Sequence, residues 1–119
     1  FRLPPSSRIP RTRDIRALLR EGKRKKTSLL DVFFLSSELS DPRFGWIVPK
    51  HRRRVVDRNV LKRRLKELGR KEVIPRLRRE GARFDLLVRA RREAYGASFE
   101  ELRQELVDLA EELCSERSS

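Results

Sequence analysis

The sequence has no methionine and only one cysteine, one histidine, one tryptophan and one tyrosine in 119 residues. A single cysteine, Cys114, excludes an intramolecular disulfide and any zinc site of the Cys₂His₂ or Cys₄ kind. Its place near the end of an apolar-periodic segment suits a small packed side chain. The lone histidine, His51, lies among arginines, with no neighbouring carboxylate or cysteine to complete a catalytic dyad or a metal site. There is no glycine-rich phosphate loop and no serine nucleophile elbow. The residues therefore nominate no catalytic side chain and no metal ligand. No apolar run reaches the length of a membrane span or a signal-peptide core, so the expected location is cytoplasmic, away from membranes. A chain that starts at Phe1 without any methionine is expected to lack its native N-terminus.

Positive charge is abundant. Lys and Arg number 31 against 18 Asp and Glu, a formal net charge of +13. Residues 98–119 hold seven carboxylates against Arg103 and Arg117, a local net of −5, so the preceding 97 residues net +18. A surplus of this size repels itself until a polyanion neutralises it, and the polyanion is expected to dock away from the last helix.

The length fits a single domain with a modest core. Residues 1–11 (FRLPPSSRIPR) hold three of the six prolines and read as an extended arm. TRDIRALLRE, residues 12–21, spaces Ile15, Leu18 and Leu19 on one helix face, and Gly22 follows where a left-handed C-terminal cap would sit. LLDVFFLS (29–36) and RFGWIVP (43–49) read as two strands joined by turn chemistry, hence as hairpin partners with Trp46 in the core. A basic helix follows, with Gly69 near its end. KEVIPRLRREGAR then reads as a broken helical connection, because Pro75 disfavours an α conformation at Ile74. FDLLVRA (84–90) is a third strand, apolar enough for the interior of a sheet. Ser98 and Glu101 form an S-x-x-E capping box, and Phe99, Leu102, Leu106, Leu109, Ala110 and Leu113 recur at helical spacing behind it. The fold class expected is α+β, a small sheet of three or four strands with helices packed on it, in the order α-β-β-α-β-α. Residues 12–114 form the domain and 115–119 a flexible tail.

The central helix concentrates the charge. At 3.6 residues per turn, Arg58, Asn59, Lys62, Arg63, Lys66 and Arg70 fall within an arc of about 140°. Val60, Leu61, Leu65 and Leu68 lie opposite, with Arg64 alone breaking that side. Lys50, Arg52, Arg53 and Arg54 stand just before the helix, so residues 50–71 hold 11 Lys and Arg against Asp57 and Glu67. Cations at a helix N-terminus oppose its partial positive charge unless an anion arrives, and phosphates gripped by N–H groups and arginine forks meet that need. A solvated basic face explains most charge runs. One-sided placement, clustering at the unfavourable end of the dipole and an asparagine at the centre favour nucleic acid here. RNA is favoured over DNA because no helix-turn-helix pair, zinc spacing or dimerising heptad accompanies the helix.

These residues resemble a known family. Arg58, Asn59, Lys62, Arg63 and Glu67, with Lys66 in the basic position before the glutamate, match the R-N-x-x-K-R-x-x-[RK]-E signature of the bacterial ribonuclease P protein component. The frame around it is similar as well, at Arg13–Gly22, in the aromatic strand 30–35, and at Arg43–Lys50, Phe84–Arg91 and Ser98–Leu102, together spanning roughly residues 8–114. The resemblance implies a ribosomal protein S5 domain 2-like fold. It also implies a protein cofactor, without catalytic side chains of its own, for an RNA that removes the 5′ leader of precursor tRNA, with Mg²⁺ held mainly by that RNA. The implied partners are ribonuclease P RNA and precursor tRNA, with no protein partner required. Carried over by position, Lys50, Arg58, Asn59, Lys62, Arg63 and Lys66 are RNA contacts, which the charge pattern extends to His51, Arg52, Arg53, Arg54 and Arg70. Phe33 and Arg91 are implied to line a leader cleft. Ile15 and Leu19 stand where the family has two aromatics on the first helix, so apolar contact replaces base stacking there. Arg53 and Val55 replace the family's usual glycine and alanine, and Pro49 replaces its serine.

Three other readings stay open at this stage. A ribosome-associated or general RNA-binding protein on the same fold would share every feature of the basic helix. A stand-alone nuclease is opposed by the separation of Asp57 and Glu67, about 15 Å along a helix, too far to share a metal. A duplex-DNA binder is the third.

Overall fold

The computed structural model of the protein describes residues 12–36 and 41–118, so the arm expected over residues 1–11 lies outside the described residues. Helix α1 (Thr12–Glu21) leads into strand β1 (Lys23–Lys26), followed by β2 (Leu30–Ser36) and β3 (Arg43–Ile47). Helix α2 (Val55–Leu68) continues through a π turn (Gly69–Val73) into α3 (Ile74–Arg79). Strand β4 (Phe84–Ala90), a 3₁₀ turn (Arg92–Gly96) and α4 (Phe99–Ser118) complete the chain. No helix among the described residues is long and apolar enough to cross a membrane.

The four strands form one mixed sheet in the order β1-β2-β4-β3. The expected hairpin between β2 and β3 does not form. β4 lies between them, antiparallel to β2 (Val32 opposite Val88) and parallel to β3 (Phe44 opposite Leu86). The reason is burial. FDLLVRA buries five of its seven residues, more than any other strand, so it takes an interior place with both edges covered. The hairpin that does form joins β1 to β2 (Arg24 opposite Phe33) through Thr27, whose N–H bonds the Leu30 carbonyl at 2.8 Å. KRKK has no apolar alternation to announce it, and the edge of β2 makes it a strand.

One face of the sheet carries the main core. Leu30, Val32, Phe34, Leu86, Val88 and Phe44 pack against Leu61, Leu65 and Leu68 of α2 and Leu102, Leu106 and Leu113 of α4. Trp46 lies half-buried at its margin, 6.2 Å from the Phe44 ring. Gly69 is built for this contact: a Cβ there would fall 2.3 Å from the Phe44 ring. The capping box of α4 is formed, with the Ser98 N–H donating to Glu101 at 2.9 Å and the Glu101 N–H to the Ser98 hydroxyl at 3.1 Å. α4 continues to Ser118, into the stretch expected as a tail.

Two local expectations are corrected. Ile74 is helical (φ −59°, ψ −47°) and the path from α2 to α3 is unbroken. Its N–H reaches back five residues to the Gly69 carbonyl, and this wider turn sets back the carbonyl that the Pro75 ring would otherwise strike. Gly22 is not left-handed. Its N–H closes α1 on the Leu18 carbonyl at 2.9 Å, and a Cβ would sit 2.6 Å from that carbonyl oxygen and 3.1 Å from that of Phe34, so glycine is needed for close approach. The left-handed glycine is Gly81 (φ +66°), which ends α3 in a Schellman motif: Ala82 N–H to Leu77 O at 2.8 Å, Gly81 N–H to Arg78 O at 3.1 Å.

Candidate RNA interface

α2 buries Leu61, Leu65 and Leu68, which turns the opposite stripe outward. Asn59 and Arg63 are exposed; Arg58, Lys62 and Lys66 are half-exposed. The two carboxylates of the segment are already engaged. Asp57 meets Arg54 at 3.4 Å, while Glu67 meets Arg70 at 2.8 Å and Lys71 at 2.9 Å. Hydrogen bonds from Arg70 and Lys71 hold the Glu67 carboxyl well below the usual range, at about 2. Among the described residues, Lys62, Arg63 and Lys66 have no carboxylate within ion-pair distance. Arg58 is steadied by donating to the Val48 carbonyl at 3.2 Å, and Arg64, on the other side, donates to the Ala97 carbonyl at 3.3 Å. Arg70 stands apart from the stripe: it belongs to the π turn, is about three-quarters buried and bonds Glu67.

The approach to α2 is a tight turn. The Arg53 N–H donates to the Lys50 carbonyl at 2.7 Å, with both central residues, His51 (φ 44°) and Arg52 (φ 61°), left-handed. Non-glycine residues in this region are strained, on the order of 1–2 kcal/mol each. Tyr95, from the 3₁₀ turn, holds the loop: its hydroxyl donates to the Pro49 carbonyl at 2.7 Å, its ring lies 5.2 Å from the Arg53 guanidinium, and His51 meets it edge-on at 6.3 Å. Lys50, His51, Arg52, Arg53 and Arg54 are all exposed as a result. The first turn of α2 has no side-chain cap, which leaves its N–H groups open beside these cations. Nothing in REAYG marked Tyr95 for this role in the sequence, since the contact spans 46 residues.

The second face of the sheet is covered by α1. Leu18, Phe33 and Leu87 are buried together, with Ile15 and Ile47 half-buried beside them. Of the expected leader-cleft residues, Ile15 and Phe33 therefore belong to one cluster. Leu19 remains more than a third exposed outside that cluster, and Arg91 lies at the end of β4, donating to the Thr27 and Ser28 carbonyls at 2.8 and 3.3 Å. Phe33 is only 5% exposed: it packs with Leu18 and Leu87, and the guanidiniums of Arg24 and Arg89 lie over its ring, at 5.5 and 5.3 Å. Asp31 joins the two arginines, 3.4 Å from Arg24 and 3.3 Å from Arg89. Arg24, Asp31 and Arg89 were absent from the expected site because register alone brings them together. A cavity of about 480 Å³ between the sheet end and the basic loop is lined by Asp31, Arg89, Arg91, Arg92, Glu93 and His51, with Pro49 and Ala90. It makes the basic loop and the Phe33 face neighbours. No three His, Cys, Asp or Glu side chains converge as a metal site among the described residues.

A mixed four-stranded sheet with a cationic crossover helix defines a small basic α+β protein, and solved structures share that frame. The ribonuclease P protein of Thermotoga maritima is similar with a TM-score of 0.70 and 25% identity, over 87% of this chain and 94% of that one. That of Staphylococcus aureus matches the fold with a TM-score of 0.71 at 20% identity, over 87% and 94%. The Acidothermus cellulolyticus ribonuclease P protein component is 33% identical over 121 residues, 98% of this chain and 96% of its own length. Residues 3–114 match the family model described as Ribonuclease P, and the chain belongs to the ribonuclease P protein family. Membership makes it the protein component of an endoribonuclease of tRNA processing and implies an RNA partner.

Proposed function

We propose that the chain binds the RNA subunit of ribonuclease P through α2 and the Lys50–Arg54 loop, and the 5′ leader of precursor tRNA through the face carrying Ile15, Phe33 and the neighbouring arginines. The RNA performs the hydrolysis and holds the Mg²⁺. The observation that supports this reading best is the row Lys62, Arg63 and Lys66, turned outward with no carboxylate partner among the described residues. Cations left unpaired gain most from phosphates, whose binding releases condensed counterions. The protein's part is to neutralise repulsion between two RNAs and to fix the leader's path. The cavity that His51, Arg89, Arg91 and Arg92 line together with Asp31 and Glu93 lies between the two faces and supports a path for the strand from one to the other.

The test is reconstitution with a bacterial ribonuclease P RNA at low Mg²⁺. The protein should stimulate 5′ leader removal, and neither the protein alone nor a mature tRNA substrate should give cleavage. If six to ten phosphates are engaged, affinity for the RNA should fall by about 10³ to 10⁵ between 50 and 200 mM salt. A flat salt response or an absence of stimulation contradicts the reading, and cleavage by the protein alone points instead to a nuclease.

A further inference from the structure

The second face of the sheet carries two cross-strand Asp–Arg pairs, and they differ in kind. Arg43 faces Asp85 and grips it with two short bonds, 2.8 and 2.6 Å, the geometry of a fixed bidentate pair. Asp31 faces Arg89 but is shared between Arg89 at 3.3 Å and Arg24 at 3.4 Å, both long for a charge-assisted bond. Its Oδ1 is buried and accepts no hydrogen bond. Burial alone would raise the Asp31 carboxyl, and the Arg89 bond together with the charge of Arg24 outweighs it and lowers the group below its ordinary range. So Asp31 is ionised, mostly buried, and held loosely by two guanidiniums that cover the one aromatic ring of the apolar cluster.

A carboxylate in this place is unhelpful for a surface that takes phosphates, because it occupies the two forks and repels the incoming anion. It also satisfies two arginines that would otherwise be poised over Phe33 without a counter-charge. We propose that Asp31 is a placeholder for a leader phosphodiester: it holds Arg24 and Arg89 over Phe33 in the free protein and yields both to the backbone of a single strand. The inference rests on the reading of this face as the leader site. Asp31 is thereby a specificity-determining residue. A lone anion cannot offset the loss of the carboxylate from both arginines, whereas a strand whose other phosphates are held by neighbouring cations such as Arg91 does. Once the carboxylate is displaced, the guanidiniums over Phe33 are released to meet phosphates and bases of the strand.

The test compares binding of a fluorescent single-stranded RNA of about eight nucleotides, at low salt, to the full chain and to two variants. Asp31→Asn keeps an oxygen acceptor while removing the charge and should tighten binding, on the order of tenfold for one competing charged bond removed. Inorganic phosphate should also compete better against this variant than against the unaltered chain. Arg24→Ala with Arg89→Ala should weaken binding. If the double variant weakens it and Asp31→Asn leaves it unchanged or weaker, the placeholder role is overturned and the leader reading stands. If the double variant binds as well as the unaltered chain, the leader reading and the placeholder fall together. A further measurement needs no variant: the side-chain Nε–H resonances of Arg24 and Arg89 should shift on adding the RNA while those of Arg43 stay in place, and unmoved Arg24 and Arg89 signals overturn the exchange.

Discussion

The Tyr95 hydroxyl donates to the Pro49 carbonyl at 2.7 Å, and this bond fastens the cationic loop to the end of the sheet. The same ring lies under Arg53 and edge-on to His51. Two left-handed non-glycine residues in the adjoining turn are costly, and an anchor on each side keeps them there. Tyr95→Phe removes the bond alone, and RNA affinity measured by titration should fall roughly fivefold, about 1 kcal/mol. Tyr95→Ala also removes the ring and should cost more. An unchanged dissociation constant in Tyr95→Ala would show that the loop holds its shape without this support.

Lys62 and Lys66 lie one turn apart on the outward stripe, and neither has a carboxylate partner among the described residues. Replacing both with Ala should weaken RNA binding and reduce the slope of log K against log salt by about 1.5 to 2. Alanine suits an exposed helix position, so the melting temperature should hold. Arg64→Ala is the matching control. It loses the bond to the Ala97 carbonyl and should lower thermal stability by about 1 kcal/mol with the salt slope unchanged. Equal slopes in all three proteins would place the phosphate contacts elsewhere.

What the sequence revealed was set by local spacing. The outward stripe of α2 follows from a 3.6-residue period, and the α4 cap from Ser98 and Glu101 three positions apart. What it hid was decided by pairing at a distance. Nothing local tells β3 to bypass β2 for β4, and KRKK becomes a strand only because β2 offers an edge. Phe33 shows the same divide at the candidate site. Its strand was legible, but its burial beneath Arg24 and Arg89 depends on two registers. Gly22 was noticed for its place at a helix end, yet the demand there is space, which only the neighbouring carbonyl of Phe34 creates.

Three glycines separate space from backbone conformation. Gly69 has ordinary helical angles, so alanine should help by propensity, but its Cβ would meet the buried Phe44 ring at 2.3 Å. Gly69→Ala should destabilise the fold by about 1–3 kcal/mol, the range for overpacking. Gly81 has open space around it and φ +66°, so Gly81→Ala should cost about 1 kcal/mol through the backbone. Gly96 has neither constraint, and Gly96→Ala should be neutral or slightly stabilising. Urea denaturation of the three variants checks the order, and a Gly69→Ala protein as stable as the unaltered chain would mean that the α2–β3 contact can open at no cost.

Glu67 gives a pH dependence with a definite sign. Hydrogen bonds from Arg70 and Lys71 lower its carboxyl from 4.5 to about 2, so the folded state binds the proton less readily than the unfolded chain. Its contribution to stability is complete above pH 4.5 and is lost as the pH falls toward 2. Glu67→Gln lacks the charge at every pH. The variant should melt below the unaltered protein at neutral pH, and the gap between the two midpoints should close as the pH falls from 4.5 toward 2. Thermal melts of both proteins at matched ionic strength measure that gap. A gap that stays constant down to pH 2 would mean that Glu67 stabilises the helix junction by shape and not by charge. High salt should narrow the gap at neutral pH, because the Arg70 and Lys71 partners are partly solvent-exposed and therefore screened.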